Sequence, residues 1–246
     1  MWNSILAAGL MLVVPALGRA DDAQAILDKA IQATANSTLR LNRLATVVRT
    51  DRGTLYRVEG PMDVERTAYL CPPDRLKYDA MLSSGGQKQP MIIGLNGTGG
   101  WQKLSGKVDD LFPGVVASVR DGDADVWGLI TLLPLTQKGV TLKALPQVDV
   151  NKKAAVGLNV SRSGHTNAQL YFDATSGLLL RVNIRMHEGP LEVGREIDLF
   201  DYKNFDGINL PTRITVSQNA RKIEEWTVQD YKFPDKLDDK MFVKPK

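Results

Sequence analysis

The 246-residue sequence predicts an α+β domain, mainly antiparallel β, in which one large sheet curls and carries its helices on a single face. Three observations lead there. The hydrophobic period is helical near the start, alternates through most of the chain, and is helical again in the middle. The alternating runs recur at short intervals and are separated by Gly, Pro, Asn and Asp turns. No internal repeat, linker or low-complexity stretch divides the chain, whose length suits a single β-rich domain of roughly 200–250 residues.

Residues 1–20 read as a secretory signal peptide. The apolar stretch 5–17, broken by Gly9 and Pro15, is followed by Gly18-Arg19-Ala20 and the acidic pair Asp21-Asp22. A spanning helix needs about 20 apolar residues, whereas a signal-peptide core needs about 7–15. Residues 1–4 hold no Lys or Arg, so only the amino terminus supplies positive charge. Cleavage near Ala20 leaves residues 21–246 as the folded, exported domain; an uncleaved N-terminal anchor is the alternative. No cysteine follows the stretch to take a lipid.

Residues 21–36 place Ala23, Ile26, Leu27, Ala30 and Ile31 at spacings of three and four, one amphipathic helix with Asp21 or Asp22 at its start. From residue 41 the pattern alternates. Residues 54–64 set Tyr56, Val58, Met62 and Val64 on one face and Arg57, Glu59 and Asp63 on the other, as one strand. Strands 75–81 and 91–95 follow, and Asn96-Gly97-Thr98-Gly99-Gly100 turns the chain into 101–104. Residues 107–135 interrupt the sheet with two short helices: Val115, Val116 and Val119 after Pro113, then Val126, Trp127, Ile130 and Leu133. Between them lies the acidic turn Asp121-Gly122-Asp123-Ala124-Asp125. Strands return at 155–160, 170–172, 178–186, 192–200, 208–216 and 222–233, with turns at Ser163-Gly164, Thr175-Ser176-Gly177, Gly189-Pro190, Asp206-Gly207 and Asn219.

Composition excludes several classes. A net charge of +3 gives no electrostatic footprint for nucleic acid, and the single Cys71 cannot close an internal disulfide. Asp121, Asp123 and Asp125 open like a calcium loop, but Val126 stands at the turn glycine and Leu132 at the bidentate glutamate, which leaves a solvated turn. His165 and His187 fall in turns, outside any nucleophile elbow or metal-ligand spacing, and read as exposed loop residues. Cys71, beside Pro72-Pro73, reads as a small apolar filler. No phosphate-cradling glycine loop is present, and no cofactor or metal is expected. Asn36-Ser37-Thr38, Asn96-Gly97-Thr98 and Asn159-Val160-Ser161 match the glycosylation acceptor pattern, which matters only in a eukaryotic secretory host.

The order of parts resembles the LolA/LolB-like superfamily of periplasmic lipoprotein carriers, over essentially all of residues 21–246. Tyr69-Leu70-Cys71-Pro72-Pro73-Asp74-Arg75-Leu76-Lys77-Tyr78 looks like its proline-entered strand, and Leu95-Asn96-Gly97-Thr98-Gly99-Gly100-Trp101 like its Gly-turn-Trp hairpin. The stretches 170–182 and 202–214 resemble its C-terminal hairpins. The resemblance implies an incomplete, open β-barrel, with the N-terminal helix and the inserted helices as a lid over an apolar cavity for acyl chains. A chain of roughly 16 carbons would gain about 12 kcal/mol on burial, at about 0.8 kcal/mol per methylene. Carriers of this kind commonly hold an arginine just before the proline of the third strand; here Cys71-Pro72-Pro73 stands there, and the nearest basic residue, Arg75, reads as a solvated surface residue.

Alternation and bulk name the expected lining: Tyr56, Val58, Met62, Leu76, Tyr78, Met91, Ile93, Leu95 and Trp101 from the first half. Phe112, Val116, Trp127 and Ile130 come from the lid, and Leu180, Val182, Ile184, Ile214 and Trp226 from the second half. Simple core packing is the competing reading for each; Tyr56, Tyr78, Trp101 and Trp127 suit the border of a cavity best. The expected function is a monomeric periplasmic carrier that binds the acyl chains of lipids or lipoproteins on the way to the outer membrane. A membrane transporter as donor and an outer-membrane acceptor are the candidate protein partners; nucleic acid is not one. The alternative is an envelope lipid sensor or protein-binding scaffold on the same fold. A secreted hydrolase would require His165 or His187 to pair with a nucleophile.

Overall fold

The computed structural model describes residues 20–188 and 191–245. The expected signal peptide therefore lies outside the described residues, apart from Ala20, as does the Gly189-Pro190 turn. The described chain opens with α1 (Ala20–Ala35), a short α2 (Thr38–Leu41) and a 3-10 turn (Asn42–Ala45). Six strands follow: β1 (Val47–Arg57), β2 (Gly60–Cys71), β3 (Arg75–Ser84), β4 (Gln87–Asn96), β5 (Gly99–Leu104) and β6 (Lys107–Asp110). The insertion comprises α3 (Pro113–Val119), a π turn (Arg120–Ala124), α4 (Asp125–Thr131) and a 3-10 turn (Leu133–Thr136). Seven more strands complete the sheet: β7 (Val140–Val150), β8 (Lys153–Arg162), β9 (Ala168–Asp173), β10 (Leu179–Glu188), β11 (Leu191–Phe205), β12 (Ile208–Gln218) and β13 (Arg221–Lys232). A 3-10 turn, Asp239–Phe242, follows.

All thirteen strands form one antiparallel sheet in the order β6-β5-β4-β3-β2-β1-β13-β12-β11-β10-β9-β8-β7. Consecutive hairpins build each half, and β1 pairing with β13 joins the halves. The sheet does not close on itself, so β6 and β7 are its free margins. These two strands are also the ones that the helical insertion connects. The insertion must therefore cross from one margin to the other, and it does so over one face: α3 touches β5 on one side and β10 on the other. α1 lies on that face near β7, β8 and β12. The apolar core sits between this inner face and the helices, from Ala23 and Leu27 of α1 to Trp127 of α4 and Trp226 of β13.

The structure corrects three local expectations. Residues 54–64 are two strands, since the chain reverses at Val58-Glu59 and Gly60 takes a φ of 123°. Across that turn Leu55 pairs with Met62 and Tyr56 with Pro61, so residues of like number parity on its two sides face opposite ways. β6 and β7 were not expected. β6 has only four residues, and the alternation of Val140, Leu142 and Ala144 in β7 is broken at Pro146, where the register shifts between Leu145 and Val148. Third, residues 121–125 are not a solvated turn: α3, the π turn and α4 run on without a break.

Candidate functional site: the covered inner face

The inner face is set by register. Val64, Arg66, Ala68 and Leu70 of β2 lie on it; Ala68 pairs with Tyr78 and Leu70 with Leu76, and these pair in turn with Ile93 and Leu95. Val182 and Ile184 of β10, Ile214 of β12 and Trp226 of β13 belong to the same core. Val116, Val119, Val126, Trp127 and Ile130 press onto it from α3 and α4. Thus eleven of the expected residues, Leu76, Tyr78, Ile93, Leu95, Val116, Trp127, Ile130, Val182, Ile184, Ile214 and Trp226, meet in one covered core. Met62 and Met91 share that face, half-buried, opposite Leu55 and Ala80.

Five lie elsewhere. Val58 caps the β1–β2 turn at 92% exposure, and Phe112, just before α3, is 79% exposed. Tyr56 falls on the outer face, where its hydroxyl donates to Glu225 Oε2 at 3.4 Å, because the hairpin reverses the face that unbroken alternation assigns it. Trp101 pairs with Gly94, and Gly94 with Lys77, which puts the indole on the outer face beneath the C-terminal turn. Its Nε1–H donates to the Phe242 carbonyl at 2.9 Å, and a Cβ on Gly94 would overlap the ring. Leu180 sits at a register shift and packs with Val150, Ala155 and Tyr171 in a separate cluster.

Between the lid and the sheet remains a hollow of about 50 Å³, bordered by Tyr78, Trp127, Ile130, Ile214 and Trp226. At about 30 Å³ per liquid water it has room for one or two, whereas ligand pockets run to about 300–1,000 Å³. The insertion's own side chains fill the space. A larger trough, about 680 Å³, lies elsewhere and is lined mainly by polar side chains, including Asn159, Gln169, Asn183 and Glu196.

Charge is buried where apolar lining was expected. Asp51 of β1 is fully buried and pairs across the hairpin with Arg66 of β2. Arg66 Nε donates to Asp51 Oδ1 at 2.7 Å. Arg49 Nε lies 2.6 Å from Asp51 Oδ2, but its N–H is turned off that line, so this contact is charge pairing rather than a hydrogen bond. The Arg66 guanidinium stacks between two rings, 3.5 Å from the Trp226 centroid and 4.5 Å from that of Tyr78. Burial opposes its charge, but Asp51, with Tyr78 and Asp123, outweighs burial and holds it protonated. Trp226 needs Gly53 beneath it: a Cβ there would fall on its ring. The Trp226 Nε1–H donates to Glu224 Oε2 at 2.8 Å.

The lid reaches this cluster through Asp123 of the π turn, whose Oδ1 accepts the Tyr78 hydroxyl at 3.3 Å. Burial, and next Glu224, push the Asp123 carboxyl above the ordinary carboxylate range. Two residues on, Asp125 is buried at the start of α4: its Oδ2 accepts from Arg162 Nη2 at 2.7 Å, and its Oδ1 lies 3.1 Å from His165 Nδ1. His165 is thus a partner of the lid rather than a free turn residue. The side chain of His187 lies outside the described residues, although its backbone belongs to β10. Trp127 stacks on Tyr231 at 5.8 Å between centroids, and its buried Nε1–H finds no acceptor among the described residues. Arg75 is engaged on the outer side, its Nη1 2.6 Å from Asp239 of the C-terminal turn.

An open antiparallel sheet whose margins are bridged by helices across one face is shared with known structures. A LolA superfamily protein from Nitrosomonas europaea superposes with a TM-score of 0.58 at 15% identity, over 90% of this chain and 97% of its own. The fold is LolA-like. An outer membrane lipoprotein-sorting protein domain from Vibrio parahaemolyticus, described as putative, follows at 0.56 and 12%, covering 91% of this chain and 97% of its own. A DUF1329 family protein from Desulfovibrio piger gives 0.55 and 11%, over 90% and 97%. No protein-family profile and no curated protein sequence matches the chain. Among the described residues no helix is long and apolar enough to cross a membrane, and no group of three or more His, Cys, Asp or Glu could hold a metal ion.

The charged cluster escaped the sequence reading because charges were assigned to water. The signal was there: Arg66 has the same parity as Val64, Ala68 and Leu70, so an alternating strand must turn it inward with them.

Proposed function

We propose that this protein is a non-enzymatic carrier that takes apolar chains, the acyl chains of lipids or lipoproteins, under its lid, in the periplasm and toward the outer membrane. One observation carries the reading: the inner face is covered by side chains from a segment whose chain joins the sheet only at its two margins, β6 and β7, so what fills the hollow can be exchanged for cargo. Trp127 illustrates this. It is 3% exposed, yet it comes from α4 and not from the sheet. An acyl chain that displaced Val126, Trp127 and Ile130 would bury similar apolar area at about 25 cal/mol per Å², leaving a net affinity far below the gross transfer energy. Such near-balance suits a carrier, which must release what it holds.

The test is mass spectrometry of organic extracts from gently purified protein, beside Ile93→Asp and Trp127→Asp variants. Wild type is expected to carry acyl lipid at near-stoichiometric level and the folded variants to carry much less. Equal lipid content in the variants, or none in wild type, would refute the assignment.

A further inference from the structure

We propose that a second pocket, at the foot of the insertion, binds a small organic acid, with its carboxylate on Arg162 and Lys138 and its apolar body against the prolines of the β2–β3 turn. The pocket shares no lining residue with the hollow under the lid and measures about 220 Å³. At about 30 Å³ per liquid water that is room for roughly seven, which suits a molecule of the size of benzoate and not a long acyl chain. Three parts of the fold meet there. Pro72 and Pro73 come from the β2–β3 turn, and Arg162, Ser163 and His165 from the end of β8 and the turn after it. The remaining wall belongs to residues 131–140, where the insertion returns to the sheet at β7. Gly128 lets α4 come close to this wall, since a Cβ there would stand 3.4 Å from both Pro72 and Pro134.

The lining is one-sided in charge. Pro72, Pro73, Leu133, Pro134 and Val140 are apolar; Lys138 and Arg162 carry positive charge, and no carboxylate lines the pocket among the described residues. Asp125 compensates Arg162 by accepting from its Nη2 at 2.7 Å, with its other oxygen 3.1 Å from His165 Nδ1. Two donors are left over. The Arg162 Nε–H is buried, on a side chain 6% exposed, and finds no acceptor among the described residues. The Lys138 ammonium lies at the exposed rim and has no ion-pair partner among the described residues. A buried N–H without an acceptor is costly, and a carboxylate supplies the missing acceptor and the missing charge together. A neutral ligand supplies no charge, and a metal cation would meet donors only. Inorganic phosphate has no apolar body to set against the prolines. A bound acid ties the foot of the insertion to turns from both halves of the sheet, which makes residues 131–140 harder to open.

The test uses the intact protein with benzoate, benzyl alcohol and inorganic phosphate, read by calorimetry and by amide chemical shifts. Benzoate is expected to bind at least tenfold more tightly than either of the others, to shift the amides of residues 131–140 and 162–165, and to slow their hydrogen exchange. Lys138→Gln is expected to weaken benzoate at least threefold. Arg162→Lys, which keeps a charge beside Asp125 and loses the Nε–H, is expected to weaken it at least tenfold; if that variant does not fold, Lys138→Gln decides. Equal affinity for benzoate and benzyl alcohol overturns the carboxylate assignment. Shifts centred on Tyr78 and Trp226 would put the acid under the lid and overturn this site, as would no binding or a preference that Lys138→Gln leaves unchanged. A short peptide ending in phenylalanine that binds tenfold more tightly than benzoate overturns the small acid in favour of a protein terminus.

Discussion

Two tryptophans mark the covers on opposite faces of the sheet, Trp101 of β5 beneath a helical turn and Trp127 within the helical insertion, and the covers differ in kind. On the outer face Trp101 lies on Gly94 under Phe242, its N–H is bonded to the Phe242 carbonyl, and Arg75 pairs with Asp239 of the same turn. Every polar group named there has a partner. On the inner face Trp127 stacks on Tyr231 with its N–H unmatched, beside a hollow and a cluster of buried charges. The outer cover is a small contact outside the main core in which these polar groups are matched. The inner one packs its apolar side chains into that core but leaves an N–H unmatched, and this separates a lid from a wall.

The largest expected effect falls on the wall. Trp101→Ala should cost about 3–5 kcal/mol of unfolding free energy in urea, since it removes a filled site and its hydrogen bond together, while the lipid content of the folded fraction is unchanged. A loss under about 1 kcal/mol would erase the distinction. Asp125→Ala comes next, at about 3 kcal/mol, because it leaves Arg162 buried beside an unpaired site. It should speed hydrogen exchange of the α4 amides far more than that of residues 239–242; equal acceleration at both would count against a separately anchored lid. Trp127→Ala is expected to cost less than Trp101→Ala, about 2–3 kcal/mol, because the ring borders space already empty. Added palmitate should restore part of that by mass action.

The smallest effect is one of pH and concerns only the inner cover. Asp123 faces Glu224, Arg66, Arg195 and Tyr78, and burial raises its carboxyl above the ordinary range. A carboxyl raised in the closed state takes up its proton more readily there, so acid favours closure. That gain is complete below the free-carboxyl value of about 3.9 and is lost as pH rises through the raised one. After correction for intrinsic exchange, protection of the α3 and α4 amides should increase as pH falls from about 7 toward 4. Asp123→Asn should flatten the profile, and residues 239–242 should show none; a flat wild-type profile would contradict the proposed titration.

Much of this was readable from the residues. The helix at 20–35 and nine of the strands announce themselves by period, and the mid-chain helices by their Val and Trp stripes. What failed was whatever depends on pairing rather than on the local run. Tyr56 and Met62 share a parity but not a face, because the chain reverses at Val58-Glu59, a turn that the Gly60-Pro61 step marks and that a reading by alternation alone passes over. Trp101 resembles a lining residue until Gly94 fixes its side. Asp51 and Arg66 look like surface charges until β1 and β2 align and set them opposite one another. The lid's polar contacts run from Asp123 and Asp125 to Tyr78, Arg162 and His165, partners far away in sequence that no spacing rule connects.

Because the insertion starts at one border of the sheet and ends at the other, it works like the string of a bow. Lifting it cannot set it free, since both ends stay fastened, and pulling it outward must draw on the curvature of the thirteen strands. For the proposed carrier, how wide the mouth opens, and so how bulky a passenger can be, would then be governed by the length of the tether between residues 110 and 140 as much as by any side chain beneath it.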